Sequence, residues 1–131
     1  MTIAEKAKYY YLDLGKNCAI STLMAASDVY NLGLTLEDAK LIAGFGGGMG
    51  CGSTCGCLAG SVAALGKLYA DREEIKTVAA AYAAVFKEAL KMDSWDCSVL
   101  HDQYAAEGVR CYACVELSAN ALEKFIAEKG I

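Results

Sequence analysis

The sequence contains no proline, and His101 is its only histidine. Proline marks the turns of many all-β folds, whereas alanine, which occurs 23 times here, favours helices and is depleted in strands. The composition therefore excludes an all-β fold with proline-rich turns. The single histidine also excludes a Rieske-type centre, because that centre needs two histidine ligands.

Long apolar runs and clusters of basic residues are missing too. No stretch reaches the ~18 consecutive apolar residues that suggest a membrane span, and charged residues interrupt the beginning of the chain where an export signal would need an apolar core. The net charge is −4 and the twelve basic residues are scattered, which argues against nucleic-acid binding. We therefore expect a cytoplasmic protein with no membrane association and no nucleic-acid partner.

The chain of 131 residues is long enough for one hydrophobic core, and we expect a single domain over residues 1–131. Apolar spacing and capping residues predict an all-α fold, a compact bundle of about six helices with a Gly/Cys-rich loop between helices. Gly60 and Gly66 would allow close helix packing. The predicted helical segments, two of them short, are 2–14, 17–31, 35–43, 57–70, 72–91, 94–106 and 111–129.

Cysteine is the residue type that carries most of the chemical information. An odd number of cysteines cannot form a fully paired disulfide framework within one chain. In a reducing compartment, clustered cysteines more often serve metal binding or redox chemistry. The seven cysteines are Cys18, Cys51, Cys55, Cys57, Cys97, Cys111 and Cys114.

Residues 44–56 form a loop in which seven of thirteen residues are glycine. We expect that its backbone takes left-handed angles or lies close to another group, because this much glycine is too costly for a helix or strand interior. The loop matches neither the dinucleotide-binding nor the Walker-type glycine pattern. It does hold Cys51, Cys55 and Cys57 in C-x3-C-x-C spacing, just before a predicted helix. A helix N-terminus favours the thiolate and lowers a cysteine's pKa.

The remaining cysteines also lie near predicted helix starts. Cys111 and Cys114 form a C-x-x-C motif that suits a redox dithiol or a metal ligand pair, although no βαβ pattern surrounds it. Cys18 and Cys97 stand alone in the sequence. If these helix starts converge on the glycine-rich loop, four to seven thiols meet at one point. Their helix dipoles would then stabilise a negatively charged cluster.

Other candidate groups are weaker. His101 lies one helical turn after Cys97 and would share its face, where it would serve as a hydrogen-bond donor or simply as a surface residue. The tyrosines at 9–11 and Trp95 are interpreted as core and interface aromatics. No acid/base pair and no nucleophile–base pair is evident, so the sequence does not decide whether the protein is an enzyme.

The arrangement of glycines and cysteines resembles the C_GCAxxG_C_C family of redox-active, cysteine-rich proteins. The resemblance implies an all-helical redox domain of the kind found in anaerobic microbes, with family cysteines at Cys18, Cys55, Cys97 and Cys111. Cys51, Cys57 and Cys114 are additions to that pattern. The residues that carry the resemblance are Asn17-Cys18-Ala19, Phe45-Gly46-Gly47-Gly48-Met49-Gly50, Thr54-Cys55-Gly56, Gly60, Cys97 and Cys111.

We expect an iron–sulfur protein that transfers electrons, with Cys18, Cys55, Cys97 and Cys111 as metal ligands. A [4Fe–4S] cluster is favoured over a [2Fe–2S] cluster, and the three additional cysteines leave a larger or second cluster open. The alternatives are a metal-free thiol–disulfide oxidoreductase using Cys111/Cys114 or Cys55/Cys57, and a zinc-stabilised interaction module. An electron carrier implies a redox partner protein, and the Ala/Gly-rich helices would also suit a homodimer.

Overall fold

Seven α-helices form most of the chain in the structure, a computed structural model that describes residues 1–130. No β-strand forms within that range, and the only extended pairings are isolated bridges of Thr54 with Asp96 and of Ala106 with Arg110. The predicted all-α class is confirmed. The helices are α1 (Ile3–Lys8), α2 (Cys18–Tyr30), α3 (Leu36–Ala39), α4 (Gly56–Tyr69), α5 (Ile75–Leu90), α6 (Cys97–Tyr104) and α7 (Tyr112–Lys129).

Polar side chains begin the first three helices. Thr2 and Glu5 form a reciprocal capping box on α1, and Thr35 and Asp38 form another on α3. The Asn17 side chain accepts the amide N–H of Ile20 at 2.9 Å and so begins α2. Each cap satisfies backbone donors that the first turn of a helix leaves unpaired.

The first predicted helix differs from the structure at its C-terminal end. The α-helix stops at Lys8, and a wider π-helical turn, Tyr9–Asp13, follows it. In this turn the Leu14 amide bonds to the Tyr9 carbonyl at 3.0 Å. The extra residue per turn rotates Tyr10 and Tyr11 towards the interior, where both are buried. Wide turns of this kind occur often at functional sites.

The core lies between the long helices. Helix α2 packs along α4, α1 packs against α2 and α7, and α5 packs against α4 and α7. Tyr82 and Phe86 of α5 are fully buried, together with Leu65 of α4 and Leu122 of α7. No helix of the described chain combines the length and the apolar character needed to cross a membrane.

Gly60 allows the close approach of α2 and α4. A Cβ atom at this position would overlap the Ala19 carbonyl oxygen and lie 3.1 Å from the carbonyl carbon. The expectation of close packing holds for Gly60 and is wrong for Gly66, where a Cβ would meet nothing within 4 Å. The α2–α4 contact matters because it holds Cys18 beside the start of α4.

We predict that Gly60→Ala lowers the free energy of unfolding by about 1–3 kcal/mol, because the rigid backbone of α2 would have to move. Gly66→Ala is the matched control in the same helix. It should leave stability unchanged or raise it by about 0.5–1 kcal/mol, since alanine loses less entropy in a helix. Urea unfolding followed by circular dichroism measures both, and equal effects of the two variants would contradict the prediction.

Candidate thiol site

Glycine residues let the loop of residues 44–56 fold tightly. Gly47, Gly48, Gly50 and Gly52 have φ angles of 66°, 65°, 71° and 76°, which confirms the predicted left-handed backbone. A Cβ atom on Gly48 would lie 2.6 Å from the Cβ of Cys97. The loop therefore sits directly on the first residue of α6, closer than any side chain would permit.

Asn17 ties this loop to the start of α2. Its side-chain amide donates to the carbonyl of Ala43 at 2.8 Å, while its oxygen caps the helix. A Cβ on Gly46 would come within 2.7 Å of the same amide nitrogen. The next residue, Gly47, then directs its backbone N–H towards the sulfur of Cys18. One side chain thus fixes both the helix and the loop around that thiol.

Backbone hydrogen bonds join the other end of the loop to the segment before α6. The Cys97 amide donates to the Ser53 carbonyl at 2.5 Å, and the Cys55 amide donates to the Trp95 carbonyl at 2.8 Å. These bonds flank the bridge between Thr54 and Asp96. The start of α4 and the start of α6 are therefore held side by side.

Every cysteine except Cys51 lies at or within the first turn of a helix. Cys18 is the first residue of α2 and Cys97 the first residue of α6, while Cys55 and Cys111 occupy the N-cap positions of α4 and α7 without a side-chain capping bond. Three of these helix starts are in contact, because a Cβ on Gly56 would overlap the Cys18 sulfur and the Cys55 and Cys97 amides join the starts of α4 and α6. The start of α7 lies near them, since charges on Cys97, Cys18 and Cys55 raise the pKa of Cys111. We refer to six residues as the thiol cluster: Cys18, Cys55, Cys57, Cys97, Cys111 and Cys114.

The six cysteines of the thiol cluster differ in how deeply they are buried. Cys55, Cys57 and Cys114 are buried, whereas Cys18, Cys97 and Cys111 are half-buried and form its outer side. All seven cysteines are free thiols in the structure. Cys51, grouped with the others on sequence spacing, is exposed on the loop and directs its thiol to the Gly48 carbonyl at 3.5 Å. His101 is exposed on the surface of α6.

Hydrogen bonding favours thiolates at Cys18 and Cys55. The Cys57 thiol donates to Cys18, and this bond, with the backbone N–H groups of Gly47 and Ala19, lowers the pKa of Cys18 to about 6. Cys57 and the first amides of α4 also lower the pKa of Cys55. Cys57 itself is the shared donor and is fully buried, so its pKa is raised well above the ordinary value.

The other three thiols of the cluster resist ionisation. Burial, together with negative charge on Cys97, Cys18 and Cys55, raises the pKa of Cys111 to about 11. Burial raises the pKa values of Cys97 and Cys114 as well. In this geometry the C-x-x-C pair is not a source of low-pKa thiolate, despite its place at a helix N-terminus.

Comparison with known proteins agrees with this arrangement of glycines and cysteines. Residues 16–125 match the family model described as "Putative redox-active protein (C_GCAxxG_C_C)". The chain belongs to the C_GCAxxG_C_C family. No curated protein and no solved structure matched the chain.

The match covers α2 to α6 and most of α7, which are the helices that build the thiol cluster and its surroundings. The cysteines of the thiol cluster in this C_GCAxxG_C_C protein are free thiols, and their sulfurs are not already arranged to bind a metal ion. Among the described residues, no three Cys, His, Asp or Glu side chains stand in a metal-holding arrangement.

Tyr11 and Arg110 border the site, and no motif in the sequence marks either residue as functional. The Tyr11 hydroxyl accepts the Cys111 amide N–H at 3.0 Å, and the Arg110 guanidinium lies over the Tyr11 ring at 3.8 Å. No local signal separates Tyr11 from Tyr9 and Tyr10, because the π-helical turn that directs it inward is not visible in the sequence. Tyr11 and Arg110 are 99 positions apart in the chain.

We predict that alkylation of Cys18 in the reduced, metal-free Cys51→Ser protein reports a thiolate at neutral pH. The rate should rise as pH passes through about 6 and level off above it, because the ionised form then predominates. Mass spectrometry of the peptide containing Cys18, after timed iodoacetamide treatment, measures this rate. A rate that keeps rising to the ordinary thiol value of 9.0 would contradict the prediction.

A matched pair of variants tests the cause of this shift. Asn17→Ala should displace the loop, so the alkylation rate of Cys18 should rise at a higher pH than in the parent protein. It should also lower the free energy of unfolding by about 1 kcal/mol through loss of the helix cap. Asn120→Ala, an exposed position on α7, should change neither property.

Proposed function

We propose that this protein binds an iron–sulfur cluster through Cys18, Cys55, Cys97 and Cys111 and acts in electron transfer. The observation that carries the proposal is the convergence of four helix starts, each with a cysteine at or beside its first residue. Helix N-termini favour negative charge, and a cluster ligated by four thiolates is negative.

The donor set fits this group chemically. Thiolates are soft ligands that select iron–sulfur clusters, zinc and copper(I) over hard cations. The backbone N–H groups of Gly47 and Ala19 point at the Cys18 sulfur, and such bonds stabilise thiolate ligands and tune cluster potentials. Cys57 and Cys114 are buried next to the four ligands and would surround the cluster or extend the ligand set.

The electrostatic interactions among the thiols give a second reason to propose a bound iron group. Burial and then charges on neighbouring sulfurs raise the pKa of Cys111, while Arg110 lowers it. A bound iron group would supply the positive charge needed to hold several thiolates together, because metal binding deprotonates its thiol ligands. Since the thiols are not preassembled as a cage, we expect binding to draw the half-buried sulfurs inward.

When bound, the iron–sulfur cluster would supply reversible one-electron transfer. The chain itself would provide the remaining functions. The buried thiols and the glycine loop exclude water from the inner side of the site, and the half-buried Cys18, Cys97 and Cys111 leave an outer side towards which a partner can approach.

A metal-free dithiol function is the second candidate, and the hydrogen-bonded group around Cys57 favours it. The Cys18 thiolate would attack a substrate disulfide, forming a mixed disulfide and releasing one sulfur as a thiolate. Cys57 would then attack Cys18, which forms a Cys18–Cys57 disulfide and releases the second sulfur. Two electrons would pass to the substrate, and the proton of Cys57 would leave with them. The Cys55/Cys57 pair offers the same chemistry.

Anaerobic purification and reconstitution with iron and sulfide test the first candidate. We predict a brown protein with broad absorption near about 400 nm and about four irons and four sulfides per chain for a [4Fe–4S] cluster. Iron and acid-labile sulfide assays provide the count. A colourless, iron-free protein after reconstitution would overturn the proposal.

Serine variants supply the matched comparison. Cys97→Ser should lose most of its iron, because one of the four thiolates is gone, whereas Cys51→Ser should keep the wild-type iron content. Zinc in place of iron would indicate the zinc-stabilised interaction module. An iron-free protein that forms a Cys18–Cys57 or Cys55–Cys57 disulfide in oxidising buffer would indicate the dithiol function.

A further inference from the structure

Tyr11 is a buried hydroxyl beside the thiol cluster. Its side chain is 4% exposed, and its position comes from the π-helical turn, Tyr9–Asp13, that follows α1. The hydroxyl oxygen accepts the backbone N–H of Cys111 at 3.0 Å. That N–H belongs to the residue that caps α7, so Tyr11 is attached to one of the four helix starts that form the site.

The Tyr11 hydroxyl lies on the Cys18–Cys111 side of the thiol cluster. In the described chain, the hydrogen bond of the Tyr11 hydroxyl is the one that it accepts, so its own hydrogen remains available. The sulfur of Cys111 is three bonds from the nitrogen that Tyr11 contacts. Burial raises the pKa of Tyr11 to about 12, with smaller contributions from negative charge on Cys111 and Cys18, although the Cys111 N–H and Arg110 act to lower it. The phenol therefore stays protonated at neutral pH.

Arg110 holds the Tyr11 ring in place. Its guanidinium lies over the ring at 3.8 Å and donates a hydrogen bond to the Tyr11 carbonyl. The Arg110 backbone is left-handed, with φ of 51°, in a turn closed by the Ala106 amide on the Arg110 carbonyl at 2.8 Å. Such angles are uncommon for residues other than glycine and cluster at functional sites.

We propose that Tyr11 donates its hydroxyl hydrogen to a thiolate sulfur on the Cys18–Cys111 side of the site, with Arg110 as its positioning residue. This inference rests on the proposed function, in which the thiol cluster is the redox centre. The hydrogen stays on the tyrosine oxygen in both redox states. The bond is stronger when the sulfur carries more negative charge, so it stabilises the reduced state and raises the reduction potential.

The test compares Tyr11→Phe with Tyr9→Phe, which removes an exposed hydroxyl in the same turn. Redox titration of the reconstituted protein, followed by visible absorption, gives the midpoint potential. We expect Tyr11→Phe to lower the ratio of reduced to oxidised protein about tenfold at a given potential, which is a shift of about −59 mV for one electron. Tyr9→Phe should match the wild type.

The same variants can be titrated without a cluster. If the wild-type protein takes up no iron, thiol–disulfide buffers and a count of alkylatable thiols give a two-electron potential, and a tenfold effect is then about −30 mV. Failure of the iron–sulfur proposal is therefore seen in the wild type, and failure of the Tyr11 proposal only in the variant. A wild type with no measurable potential in either titration would overturn both.

A purely structural role for the hydroxyl predicts a different result. Tyr11→Phe would then lower the melting temperature, because the Cys111 N–H loses its acceptor, and leave the potential unchanged; that outcome overturns the proposal. Should Tyr11→Phe fail to fold, Arg110→Lys keeps the positive charge but loses the planar contact with the ring. It should lower the potential in the same direction by a smaller amount, and an unchanged potential would overturn the proposal.

Discussion

Close backbone contact is the constraint on which the site depends. The first turn of a helix can approach another segment closely enough for a thiol to contact it only where no Cβ atom lies between the two backbones. Four glycines meet that condition, and a side chain at any of them would collide with α2, the loop or α6. The contacts are Gly46 with Asn17, Gly48 with Cys97, Gly56 with the Cys18 sulfur, and Gly60 with the Ala19 backbone.

These contacts create an electrostatic conflict. Thiolates repel one another, yet helix starts and loop amides favour negative charge at Cys18 and Cys55. In the absence of a metal, this repulsion is reduced by Cys57, whose thiol S–H is the hydrogen-bond donor for both the Cys18 and the Cys55 sulfur. A soft cation among the thiols would ease it further, which is the physical basis of the cluster that we propose.

The fold also connects distant parts of the chain to this site. The π-helical turn after α1 lies outside the residues matched to the family and directs Tyr11 inward. Tyr11 then meets Arg110 and Cys111 from the far end of the chain. Because the amino-terminal segment supplies this contact, α1 contributes to the site as well as to the core.

The sequence by itself determined the helical class, the capping residues Thr2, Asn17 and Thr35, and the positions of cysteines at helix starts. These features are local, since they depend on residues within one or two turns. Only the tertiary structure decided which thiols meet, that Cys51 stays apart, and that the low pKa belongs to Cys18 and not to the C-x-x-C pair. Those properties depend on burial, on hydrogen bonds across the fold and on charges from other helices, which spacing along the chain does not specify.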